Sequence, residues 1–83
     1  MTNEEIETMI ARGLPGSEAH VSGDGTHFYA KVICQAFEGL PLIKQHRMVY
    51  GAVGDSMQGA IHALSIQTYT PEEWARQKPF ETL

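Results

Sequence analysis

Four histidines and one cysteine are the side chains of this 83-residue chain best suited to chemistry: His20, His27, His46, His62 and Cys34. Histidine exchanges a proton near neutral pH and is a common metal ligand. His27 follows the glycine turn Gly23-Asp24-Gly25-Thr26, so an accessible imidazole on a loop edge is expected. His62 stands between the apolar residues Ile61 and Ala63. Each also has an ordinary reading: a solvated turn residue for His27, a hydrogen-bonded core or rim residue for His62, helix packing for His46 and a strand surface for His20. The sequence holds no paired-cysteine motif, no His-Glu-x-x-His and no Cys/His cluster at zinc spacing. Two imidazoles cannot close a four-coordinate site. If His27 and His62 bind metal, other ligands must come from a second molecule. A [2Fe-2S] cluster with thiolates supplied by a partner would suit them, because histidine and cysteine can share such a cluster.

Catalysis by the chain alone has little support. Cys34 shares a predicted strand face with Phe28 and Val32, which reads as a buried structural thiol. Glu38 and Asp55 lack a paired acid, and no nucleophile–base arrangement follows from the spacing. Neither Gly23-Asp24-Gly25 nor Gly51 to Gly54 leads into the lysine and hydroxyl of a phosphate loop. A chain this short buries only roughly 60–65% of its unfolded surface, which leaves little room for a deep active site. A non-enzymatic binding module is the expectation.

Charge and cysteine content narrow the partners and the setting. The formal net charge is −4, the opposite of the basic excess that phosphate neutralisation requires. Lys44, Arg47 and Lys31, with Tyr29 or Tyr50 nearby, form either a local basic patch for an acidic partner or nucleic acid, or a solvated face. One cysteine cannot form an internal disulfide, the first residues are acidic rather than apolar, and no apolar run is long enough to span a bilayer. A cytoplasmic, reducing setting without membrane attachment is expected.

These residues need elements to position them. Thr2 and Glu5 fit a capping box, and Ile6, Met9, Ile10 and Leu14 follow at helical spacing up to Gly13 and Pro15-Gly16. Ala19-His20-Val21-Ser22, the glycine turn and His27 to Cys34 read as a hairpin, with Phe28, Ala30, Val32 and Cys34 on one face. Gln35 to Pro41 reads as a connector. A helix is predicted from Pro41 to Met57, with Leu42, Ile43, His46, Val49, Tyr50 and Val53 inward and Lys44, Gln45, Arg47 and Met48 on other faces. Ala60 to Ile66 reads as a third strand, with His62, Leu64 and Ile66 pointing one way and Ile61, Ala63 and Ser65 the other. Thr70-Pro71-Glu72-Glu73 is a second capping box, Trp74 is expected to anchor its helix to the sheet, and the chain after Gln77 is expected to fray. The result is one domain over residues 1–78, with a tail at 79–83. Its class is α+β: a small three-stranded sheet with helices on one face, in the order α-β-β-α-β-α.

The chain resembles the BolA family, most closely its short bacterial branch. The resemblance is carried in order by Gly23-Asp24-Gly25-Thr26-His27-Phe28, Phe37-Glu38-Gly39, His46-Arg47-Met48-Val49-Tyr50, Ile61-His62-Ala63-Leu64-Ser65 and Thr70-Pro71-Glu72-Glu73-Trp74. It implies a fold like a type II KH domain. It also implies a monothiol glutaredoxin as partner, with a glutathione-ligated [2Fe-2S] cluster shared between the two proteins and no cluster in the isolated chain. His62 would be the strand ligand, and His27 the second ligand from the loop. Such a protein would act in iron–sulfur trafficking or in iron and stress sensing. The family is also linked to cell shape and to DNA-binding transcription regulation, which would use Lys44, Arg47 and Lys31; a homodimer is left open. This chain departs from the pattern in having Gln45 before His46 and Leu40-Pro41 after Gly39. Gly39 alone does not rebuild a nucleic-acid-binding GXXG loop.

Overall fold

The computed structural model describes residues 1–54 and 63–81, with side chains to Gln77. The capping-box signal at the start of the chain operates as read: the Glu5 N–H donates to Thr2 Oγ1 at 3.1 Å, and the Thr2 N–H donates to Glu5 Oε1 at 2.8 Å. Helix α1 then runs Asn3–Gly13. Its apolar residues Ile6, Ile10 and Leu14 are buried. Strands β1 (Glu18–Gly23) and β2 (Phe28–Ile33) form the antiparallel hairpin, and β3 (Leu64–Tyr69) pairs parallel to β2, giving the order β1-β2-β3.

Alternation along β2 decides which face is covered. Phe28, Ala30 and Val32 are buried against α1 and against helix α2 (Leu42–Val53), together with Cys34, Val49, Val53 and Leu64. Tyr29 on the opposite face is exposed. Helix α3 (Pro71–Glu81) also starts from a capping box: the Glu73 N–H donates to Thr70 Oγ1, and the Thr70 N–H to Glu73 Oε1. Its Trp74 does anchor to the sheet, but on the face turned away from α1 and α2. There it stacks on His20 at 5.5 Å and meets Tyr69 at 5.3 Å. The backbone of α3 continues to Glu81, past Gln77 and into the segment expected to fray.

Three details differ from the sequence reading. The connector contains a short 3-10 helix, Gln35–Phe37, whose Phe37 is fully buried. In α2, Leu42 and Ile43 are 62% and 61% exposed instead of facing inward. The inner stripe begins at Gln45, whose Nε2 donates to the Phe37 and Leu40 carbonyls at 3.2 and 2.9 Å, while its Oε1 accepts from the Thr68 hydroxyl. A polar residue opens the stripe because the turn before α2 leaves carbonyls that need donors. Met48 is likewise packed on the core rather than turned outward. Finally, Ala63 stands outside β3, which begins at Leu64 and continues past Ile66 to Tyr69. The part of the third-strand prediction before Ala63, and the extension of α2 beyond Gly54, lie outside the described residues.

Candidate metal centre

The loop between β1 and β2 is built around one carboxylate. Asp24 Oδ1 accepts from the Thr26 hydroxyl at 2.7 Å, from the Thr26 N–H at 2.9 Å and from the His27 N–H at 3.2 Å. Gly23 and Gly25, at φ +147° and +95°, supply the left-handed backbone on either side. The Thr26 hydroxyl, and then the two backbone N–H groups, hold the Asp24 carboxyl down to about 2 from its ordinary 3.8. A depressed carboxyl stabilises the fold above its unfolded value, and that contribution is lost as pH falls through the folded value. The Tm difference between wild type and Asp24→Ala is therefore expected to be constant above about pH 4 and to shrink towards pH 2. Thermal scans across that range check it, and a difference that grows on acidification would refute it.

This loop delivers His27 to the head of the sheet. The imidazole is half-buried, its ring centroid 4.7 Å from that of Tyr29 at an interplanar angle of 47°. Its Nε2 lies 3.0 Å from Ser65 Oγ on β3. The parallel register explains the meeting: Phe28 stands opposite Leu64 and Tyr29 opposite Ser65. The chain thus enters β2 and β3 at the same end, just after His27 in one case and two residues after His62 in the other. His62 itself lies outside the described residues.

The other candidates lie elsewhere. Cys34 is buried, 4% exposed, beyond the far end of β2. Seven residues of extended chain separate it from His27, about 23 Å at strand rise, too far for a shared metal. His20 pairs with the Glu18 carboxylate and stacks on Trp74, and His46 is half-buried on α2. Among the described residues no group of three or more His, Cys, Asp or Glu side chains could hold a metal ion. The family model for BolA-like proteins matches residues 11–73.

The chain belongs to the BolA-like family. It is 40% identical over 79 residues to the acid stress protein IbaG of Escherichia coli K12, covering 94% of each chain. The structure of a bolA protein homologue from Coxiella burnetii superposes with a TM-score of 0.83 at 47% identity, over 92% of this chain and 99% of that one. The BolA domain of SufE1 from Arabidopsis thaliana gives 0.70 at 30% identity, over 86% and 93%. The α-β-β-α-β-α order of this BolA-like chain is thus that of solved members.

The basic residues of the BolA-like chain do not converge. Lys44 and Arg47 are exposed on α2, which covers the inner face of the sheet. Lys31 belongs to the outer face, its Nζ 5.7 Å from the Trp74 ring centroid. Strand alternation puts the sheet between them, so the trio forms no single patch. No described helix is long and apolar enough to cross a membrane. That Tyr29 and Ser65 are the neighbours of His27 is not legible in the sequence. Alternation places each on a face, but only the β2–β3 register brings them to the same imidazole.

Proposed function

We propose that this BolA-like chain is an adaptor that binds a monothiol glutaredoxin and shares a glutathione-ligated [2Fe-2S] cluster with it. His62 and His27 would be the ligands from this side. The observation that carries the reading is the setting of His27: an imidazole fixed on a loop organised by Asp24, at the end of the sheet where β3 begins two residues after His62 in the sequence. The donor set fits a divided site. Imidazoles are competent ligands to such a cluster, and among the described residues no group of three or more potential ligands surrounds His27. The cluster, when bound, would supply transferable iron and sulfide and a redox-sensitive signal. The chain's own residues would orient one side of it and limit its contact with water. Trafficking of clusters, or sensing of iron and stress, follows from a site that exists only while two proteins are joined. Similarity to the acid stress protein IbaG of Escherichia coli favours the stress side.

Mixing the protein with a monothiol glutaredoxin, glutathione, iron and sulfide should give a complex with visible absorption and circular dichroism distinct from those of the glutaredoxin alone. His62→Ala should abolish the distinct signal. His27→Ala should alter it and make the cluster easier to chelate, because a loop ligand can be replaced by water or thiol. A mixed-complex spectrum that both substitutions leave unchanged would remove the assignment.

A further inference from the structure

The geometry points to Ser65 as the positioning residue for His27, and to Nδ1 as the imidazole nitrogen presented to a metal. The inference rests on the shared-cluster reading above and extends it to a second residue and a specific atom. A hydrogen bond joins Nε2 to Ser65 Oγ at 3.0 Å, while Nδ1 has no hydrogen bond to any described residue. Two proton arrangements satisfy that contact: Nε2–H donating to the hydroxyl, or the hydroxyl donating to a bare Nε2. Only the first leaves a lone pair on Nδ1, the nitrogen not already engaged, and so makes the ring a ligand. Histidines that bind metals commonly donate their other ring N–H to an outer acceptor, which fixes both tautomer and orientation.

Three restraints act on this ring from different parts of the chain. Asp24 holds the His27 backbone N–H, Tyr29 packs against the ring, and Ser65 engages Nε2 from β3. Two of the three neighbours lie on strands paired in register, so the ring is aimed by the sheet even though its own residue ends a loop. Ser65 has no metal-ligating character of its own to confuse with this role. Its side chain points to the uncovered face, and replacing it leaves the core untouched.

Nuclear magnetic resonance of the free protein tests the placement without any cluster. At mildly alkaline pH, long-range proton–nitrogen correlation should put the His27 proton on Nε2, with cross-relaxation between that ring and the Ser65 β protons. Ser65→Ala should lose the Nε2–H resonance to solvent exchange, and Ser65→Thr, which keeps a hydroxyl, should retain it. A proton on Nδ1 in the wild type, or an unchanged Nε2–H signal in Ser65→Ala, overturns the inference. In the glutaredoxin mixture, Ser65→Ala should shift the visible circular dichroism in the same sense as His27→Ala, and Ser65→Thr should restore it. If His27→Ala changes that spectrum and Ser65→Ala does not, the positioning role is wrong while the shared cluster stands. If neither changes it although the free-protein result holds, His27 is no ligand and this inference falls, while the shared cluster is then decided by the His62→Ala result.

Discussion

Phe37→Ala is expected to remove about 3–5 kcal/mol of folding stability, the usual loss when a large aromatic is deleted from a packed core. The ring is fully buried at the centre of a cluster that joins α1, the inner face of the sheet and α2. An 83-residue domain has only about 4–12 kcal/mol to lose. The substitution therefore takes away about a quarter of the fold's stability or more, and lowers Tm by roughly 12–40 °C on the scale of about 4–8 °C per kcal/mol. The loss exceeds burial alone because Phe37 belongs to a single 3-10 turn. That turn has no hydrogen-bond ladder of its own length to hold it once the ring is gone. Urea denaturation followed by far-ultraviolet circular dichroism reads the effect. A loss below about 1 kcal/mol would mean that the connector is not part of the core.

Gly23→Ala is expected to cost about 2–4 kcal/mol, combining a backbone conformation that side chains avoid with a collision. At φ +147°, a Cβ on residue 23 would overlap the His27 carbonyl oxygen and lie 3.0 Å from Phe28 Cα. Backbone atoms cannot swing aside as a flexible side chain can, so the end of the hairpin must open. Gly25→Ala is the matched control: it shares the positive φ, at +95°, but meets nothing within 4 Å, so only the strain of about 1 kcal/mol remains. Denaturation of the two variants side by side separates strain from collision. Equal losses would show that the close approach at Gly23 contributes nothing. The expected displacement also acts on the proposed metal centre, since the residue pushed by the new methyl group is His27 itself.

Much of the framework was legible because its signals are local. Both capping boxes are four-residue patterns, and both hold their helices with the reciprocal hydrogen bonds they imply. Strict alternation from Phe28 to Cys34 separates the buried face from Tyr29 without reference to the rest of the chain, although Ile33 on the outer side is buried as well. Where the reading failed, the cause is tertiary. Leu42 and Ile43 look like the start of an inward stripe, but in the first turn of α2 both are exposed. Gln45 looks like a surface residue, yet it bridges the connector to Thr68 because the Phe37 and Leu40 carbonyls end there. Phe37 was hidden by its surroundings, since a single buried ring between a strand and a glycine has no period to reveal it. His27 was visible by type and by its place after the turn. Its partnership with Ser65 was not, because that depends on a parallel register between segments far apart in sequence.

That separation also has a kinetic meaning. β1 and β2 can zip together across a short turn, whereas β3 must find β2 after a crossover, and the His27–Ser65 contact spans 38 residues. Closing a long loop is paid in chain entropy before any contact rewards it, so parallel pairing is a late and slow event in folding. A nascent or partly unfolded chain would then hold the hairpin and its histidine before the hydroxyl arrives. The imidazole becomes aimed only when the last strand is in place, which couples readiness for a metal to completion of the fold.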